Sequence, residues 1–453
     1  MKLPLLRTAT PGRPVLWSHG RLVTLRELMQ QVAAVARALP DGRHLINLCE
    51  HRDLFLIACC AALVRGHTNL LPSSRAEGVV EEVAAANPGS YRCDDTFVSR
   101  AVKKTRASKT PDKDLAYCNF ELPANHVAVK AFTSGSTGIP QGHTKLWRSF
   151  SRSSALNAMR MREVLEPVHG SARPWIVATV PPQHMYGLET SVLLALLSDM
   201  AVHAGRPLFP ADIAAALAEV PEPRVLVTTP VHMRAIAGSG QVFPRTALVV
   251  SATAPLDAAL SSEIEKQLGT TVLEMFGSTE TCVIATRRTS SEQAWHLYPE
   301  VILEPDADGV AVNAPWFAAP MRLQDLVELH PGNRFIIRGR NADMVDVAGK
   351  RASLADLTRR LLAIPGVKDA VVFQPDTAAP GVVRRVAALV VAPDLAVEAI
   401  NEQLARTVDA AFIPRPLVLV PDLPRNEVGK LPRERLLAAL HTAKPGASDP
   451  SVR

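Results

Sequence analysis

The chain has 453 residues, of which 47% are hydrophobic and 21% charged, with a formal net charge of +6. A chain of this length divides into two or three domains and can bury large cores. The positive charge is spread out, and zinc-finger spacing, RNA-binding aromatic motifs and basic amphipathic helices are missing, which argues against a nucleic-acid module. The longest apolar run, residues 54–64, is about half the ~20 residues of a membrane span.

In chain order, residues 15–70 read as a strand, a helix and a second strand–helix unit. Leu25, Leu28, Val32 and Val35 recur at helical spacing, with Thr24 as the expected N-cap. The apolar run 54–64 is expected to be a buried helix. Residues 1–14 carry no apolar run of signal-peptide type. Residues 100–115 are polar and charged and are expected to form a surface excursion. A short strand, 127–132, then leads into a loop of glycines and hydroxyl residues.

Between 174 and 300, apolar strands (175–180, 225–229, 247–251) alternate with helical stretches such as 212–219. That alternation predicts a mostly parallel sheet covered by helices, an α/β fold. After Arg338 the expected order is a β segment, a helix over 354–362 capped by Ser353, strands at 369–373 and 385–391, and a helix over 397–411. The predicted division is a large N-terminal domain, 1–339, a small mobile α+β domain, 340–441, and a flexible Pro/Gly/Ala/Ser-rich tail, 442–453. The cysteines, Cys49, Cys59, Cys60, Cys93, Cys118 and Cys282, form no C-x-x-C pair. Reduced thiols and a cytoplasmic location are expected.

The strongest chemical signal is Thr133-Ser134-Gly135-Ser136-Thr137-Gly138-Ile139-Pro140-Gln141-Gly142. Glycines let a backbone approach an anion closely, and free N–H and O–H groups then bind phosphate oxygens. No Gly-Lys-Ser/Thr follows, so this is not a Walker loop. Ser134 stands where a nucleophile elbow needs its first glycine, and dehydrogenase fingerprints are missing too.

This segment resembles the phosphate-binding loop of the adenylate-forming superfamily, which includes acyl-CoA synthetases, aryl-acid ligases, peptide-synthetase adenylation domains and luciferases. Four further segments match in order, so the resemblance spans roughly residues 15 to 435. In residues 181–189 it implies that His184 sits beside the acid's carboxylate, with Tyr186 and Gly187 lining that site. In residues 275–280 it implies adenine stacking on Phe276, nucleotide contacts from Gly277, Ser278 and Thr279, and Mg²⁺ held by Glu280, with Thr137 as a further ligand. Ser251, Ala252 and Thr253 occupy the place of a Gly-Gly-Ala-Pro turn that lines the acyl and adenine sites. Asp325 and Arg340 resemble the ribose-binding pair, and Arg340, Asn341 and Ala342 the hinge. Lys430 resembles the mobile-domain lysine whose ammonium touches both the carboxylate and the α-phosphate.

The resemblance implies ATP and Mg²⁺, and an acid that attacks the α-phosphate to give an acyl-adenylate. A domain rotation then lets a thiol take the acyl group. Three positions depart from the family pattern: Gln141 replaces a lysine, with Lys145 four residues on as a stand-in; Ala342 replaces the hinge acid or lysine; and Asp346 replaces a lysine. The run STGIPQGHTKLW resembles bacterial AMP-ligases of aryl polyene and xanthomonadin-type pigment pathways. That implies a hydroxybenzoate-like acid and an acyl carrier protein as acceptor, whose acidity suits a basic ligase. A CoA thioester ligase and a non-catalytic nucleotide-binding relative are the alternatives. A monomer or homodimer with no nucleic-acid partner and no membrane span is expected.

Overall fold

The computed structural model describes residues 1–7, 10–106, 119–134, 140–306, 309–340, 344–347, 350–375, 385–426 and 429–442. The chain forms two compact units, residues 1–302 with 313–321, and residues 303–312 with those from 322 on. Strands Ile302–Asp306, Gly309–Asn313 and Met321–Leu323 make a sheet of their own. The hairpin that follows, Asp325–His330 with Arg334–Arg340, packs on helix Leu354–Leu362.

The first unit holds two twisted sheets. In one, the order is Ser90–Cys93, His44–Asn47, Thr68–Leu71, Val127–Ser134 and Pro140–Leu146, parallel except for the last pair. In the other, strands Thr271–Ser278, Leu248–Ser251, Arg224–Thr228, Trp175–Ala178, Ala201–His203 and Pro14–Ser18 run parallel. Arg21–Thr24 closes one edge in antiparallel fashion, and Cys282–Arg287 and Trp295–Leu297 extend the other. The predicted parallel α/β sheet is therefore present. The hairpin partner Arg21–Thr24 had no separate signal, because its four residues read as the lead-in to a helix.

Thr24 caps helix Leu25–Ala38, accepting from the Glu27 amide while Glu27 reaches back to the Thr24 amide, a reciprocal capping box. The apolar run 54–64 lies in helix Arg52–Val64, nearly all buried. One sheet face packs against helices Pro210–Glu219, Pro230–Ala237 and Ala258–Leu268 through Val177, Leu226, Val249, Ile264 and Val272. Residues 100–106 are not an excursion. They complete helix Asp95–Arg106, whose Val98 and Ala101 are buried; residues 107–118 lie outside the described residues.

In the second unit, Asp369–Phe373 is a strand as expected, paired with Ala387–Val391, which in turn pairs with Leu417–Leu419. Helices Leu354–Leu362 and Val397–Ala405 cover one face. The helix predicted to reach 411 stops at Ala405, since Asp409 accepts from the Ala411 amide and starts a separate turn, Ala410–Phe412. The side chain of Ser353, the expected cap, and residues 443–453 of the expected tail lie outside the described residues. Among the described residues Cys49, Cys59, Cys60, Cys93 and Cys282 are unpaired, and no helix is long and apolar enough to cross a membrane.

Candidate functional site

Ligands of open α/β sheets bind beyond the carboxyl ends of the strands. The segments singled out in the first unit all leave such ends. Thr133 and Ser134 close strand Val127–Ser134, in register with Gln141 and Pro140 of the returning strand. The residues between them, including Gly135, Ser136, Thr137 and Gly138, and the side chains of Thr133, Ser134 and Gln141, lie outside the described residues.

His184 occupies the N-cap position of the turn Met185–Leu188, with extended backbone. Tyr186 is buried, and its hydroxyl donates to the Val250 carbonyl at 2.9 Å, which fixes the turn to the neighbouring strand. Burial pushes the phenol well above its ordinary range. At Gly187 a Cβ would lie 2.0 Å from the Pro181 carbonyl oxygen, so the turn closes on its own lead-in and only glycine fits. The helix continues as a π turn, Glu189–Leu193, a local distortion found often at functional sites.

Two buried polar atoms here have no partner among the described residues: Gln183 Oε1 and Ser251 Oγ. Ser251 ends strand Leu248–Ser251, and Ala252 after it is buried. Thr253 takes φ of +80°, a left-handed conformation unfavourable for a β-branched residue. The backbone keeps a glycine-type turn here although the sequence supplies threonine.

Phe276 sits near the end of strand Thr271–Ser278, its ring 5.3 Å from that of Trp295. The strand bulges between Phe276 and Gly277, and a Cβ on Gly277 would lie 2.1 Å from the Cys282 carbonyl. A tight turn follows. Ser278 Oγ accepts from the Glu280 and Thr281 amides, and Thr281 Oγ1 accepts from the Ser278 amide. Thr279 lies on the same turn, partly exposed. Glu280 is thereby presented with its carboxylate about half exposed and His143 Nδ1 3.5 Å away. Burial raises its pKa, but hydrogen bonds from Ser278 and the backbone, with the charges of His143 and Lys145, bring it below the ordinary range. A single ionised, reachable carboxylate fits Mg²⁺, which takes one or two protein carboxylates and completes its shell with phosphates and water.

Lys145 is 4% exposed, and its ammonium donates to the main-chain carbonyl of Glu280. It braces the Glu280 turn. Glu189 is 1% exposed and accepts from Ser153, Asn157 and the Val283 amide. It ties the segment after Tyr186 to the strand after Glu280. Burial raises the Glu189 pKa against these bonds and the Lys145 charge. Arg52, 1% exposed, donates to the Ala178 and Val180 carbonyls at 2.9 Å each and to Ser191, just before and after the His184 turn. Sequence reading missed Glu189, Arg52 and His143. The one available signal was a charged residue beside or within an apolar run, as at Arg52 just before 54–64 and at Glu189.

The remaining site residues belong to the second unit. Asp325 and Arg340 are register partners across their hairpin. Asn341 and Ala342 lie outside the described residues, as does the side chain of Asp346. Lys430 is exposed, and its backbone is held by Asn426, whose side chain accepts from the Lys430 amide at 2.9 Å. Arg425 donates to the Gly429 carbonyl and grips Asp369 with two nitrogens at 2.8–3.0 Å, so the lysine stands on an anchored turn.

Residues 7–302 match the family model described as AMP-binding enzyme. The chain is 32% identical over 236 residues to a 4-coumarate–CoA ligase of Rhodobacter capsulatus, a match taking in 52% of this chain and 58% of that protein. It is 28% identical over 308 residues to a 4-coumarate–CoA ligase of Halorhodospira halophila, covering 66% of this chain and 73% of that one. The fold is that of the O-succinylbenzoate coenzyme A synthetase of Bacillus subtilis in complex with AMP, with a TM-score of 0.79 at 16% identity over 96% of this chain and 98% of that chain.

Proposed function

The chain belongs to the AMP-binding enzyme family, and from that premise we propose that it is an ATP-dependent, AMP-forming acid–thiol ligase. The observation that carries this reading is the turn at residues 278–281. It presents an ionised carboxylate next to Phe276 and is braced by Lys145 and tied through Glu189 to the His184 turn. That arrangement couples a phosphate-and-metal end to an acid end.

Each residue then has a role. The loop 133–138 and residues 276–279 hold ATP, with Phe276 against adenine, and Asp325 and Arg340 take the ribose. Glu280, with Thr137, would hold Mg²⁺, which would supply neutralisation of phosphate charge. His184, Tyr186, Gly187 and residues 251–253 form the acid site. Two anions must approach each other in the first step, and the Lys430 ammonium offsets their repulsion as charge builds on the α-phosphate. A carboxylate oxygen bonds to the α-phosphorus, and the bond to the bridging oxygen breaks as pyrophosphate leaves. A hinge at residues 340–342 then withdraws Lys430. The acceptor sulfur, having lost its proton, bonds to the acyl carbon, and AMP departs with the former carboxylate oxygen.

For the acid we infer an aromatic one of hydroxybenzoate type, and for the acceptor the phosphopantetheine thiol of an acyl carrier protein. Support comes from the STGIPQGHTKLW pattern of pigment-pathway AMP-ligases and from the net charge of +6. A CoA acceptor is the second reading, favoured by the CoA ligases among the relatives. The test is acid-dependent ATP–pyrophosphate exchange across aromatic and aliphatic acids, followed by thioester formation with CoA or with holo-carrier protein. Lys430→Ala is expected to abolish exchange while leaving thermal unfolding unchanged; undiminished exchange would overturn the assignment.

A further inference from the structure

Outside the segments already described, the first unit carries an open cleft of about 890 Å³. It is lined by His19, His51, Asp53 and Asp95 and by Arg100, Lys103 and Lys104 of helix Asp95–Arg106. Arg100, Lys103 and Lys104 stand three and four residues apart, so they share one flank of the helix. All three are exposed, and none makes a hydrogen bond or ion pair with a described residue.

The two carboxylates of the cleft do not answer this charge, because both are engaged elsewhere. Asp53 accepts from Ser18 Oγ at 2.7 Å and from the Leu54 amide at 2.9 Å. Asp95 accepts from the Glu50 amide at 3.1 and 3.2 Å and from the His51 amide at 3.4 Å. The opposite flank of the helix is tied down by buried Val98 and Ala101, so the cationic flank is held outward by packing. The basic character continues along the chain through Arg106 and Lys109, with no acidic residue between Asp95 and Asp112. The cleft is also close in sequence to the acid site: Asp53 lines it, while neighbouring Arg52 holds the Val180 carbonyl immediately before residues 181–188.

We propose that this cationic flank is the docking surface for the thiol-bearing partner, an acyl carrier protein that presents a stripe of Asp and Glu side chains beside its phosphopantetheine arm. The inference rests on the acid–thiol ligase reading and names the partner of that reaction. A row of free cations longer than one phosphate requires matches a row of carboxylates. Such complementarity acts chiefly through the association rate and is weakened by salt.

The test compares the wild type with Arg100→Glu/Lys103→Glu/Lys104→Glu, using one accepted acid, a purified holo-acyl carrier protein and CoA. Pyrophosphate exchange is expected to be unchanged, which also shows that the variant folds. Thioester formation on the carrier protein is expected to lose at least about tenfold in kcat/KM, with KM rising and kcat little changed, and wild-type transfer to fall with added NaCl. The milder Arg100→Ala/Lys103→Ala variant should fall between the two. Carrier transfer insensitive to charge reversal would overturn the docking surface, as would a loss confined to CoA, which would reassign the cleft to the phosphates of a nucleotide thiol. Failure of wild-type enzyme to load any thiol after making acyl-adenylate would instead strike the ligase reading.

Discussion

Gly187 offers a sharp perturbation of the acid site. A Cβ there would lie 2.0 Å from the Pro181 carbonyl oxygen and 2.9 Å from the carbonyl carbon, where ordinary contact begins at 3.4 Å. The obstacle is backbone rather than the end of a flexible side chain, so about 1.4 Å must be recovered by moving either residues 181–183 or the turn Met185–Leu188. Neither moves freely. Val180 is held by Arg52, and the turn is held by Tyr186 on the Val250 carbonyl and by Ser191 on the Gly187 carbonyl. Overpacking of this kind costs about 1–3 kcal/mol. A displacement of about 1 Å at a positioning element costs on the order of 10² in rate. Gly187→Ala is therefore expected to lower the urea midpoint by that energy. It should also cut kcat/KM for the acid about a hundredfold, while KM for ATP changes less. Urea unfolding followed by tryptophan fluorescence, with pyrophosphate exchange at varied acid, measures both. Unchanged stability together with acid kinetics within twofold of wild type would refute the reasoning.

Thr253→Gly is expected to stabilise the fold by about 1 kcal/mol by removing a β-branched residue from a left-handed conformation, read as a higher midpoint in urea. Glu280→Gln should abolish or severely lower pyrophosphate exchange and raise the Mg²⁺ concentration for half-maximal rate; an unaltered Mg²⁺ titration would remove Glu280 from the metal site. Burial and the charge of Arg206 push the His232 imidazole down to about 4. The unfolded chain, titrating near 6.5, therefore takes up a proton first as pH falls, and stability is lost between about 6.5 and 4. Between pH 7.5 and pH 5 this group accounts for about 2 kcal/mol, and His232→Gln should flatten that part of the stability profile.

Local signals carried most of the reading. Thr24 as the N-cap of helix Leu25–Ala38, strand Asp369–Phe373 and helix Leu354–Leu362 each follow from residues adjacent in sequence, and the structure places these elements where the local pattern puts them. Arg52 and Glu189 were out of reach for the opposite reason. Arg52 meets residues 126 and 128 positions away and Glu189 meets Val283 94 positions away, and no local pattern encodes such partners.

The place of Lys145 follows from strand geometry. Four residues after Gln141 it looks close enough to replace a missing cation, and on a helix it would be. Residues Pro140–Leu146 form a strand instead, where each residue advances about 3.3 Å, so four residues separate the two backbones by about 13 Å. The same alternation puts His143 and Lys145 on one face of the strand, and both reach the Glu280 turn, one at its carboxylate and the other at its carbonyl. The charges of His143 and Lys145 are thus gathered at the Glu280 turn, where, with hydrogen bonds from Ser278 and the backbone, they bring the carboxylate below its ordinary range against the effect of burial.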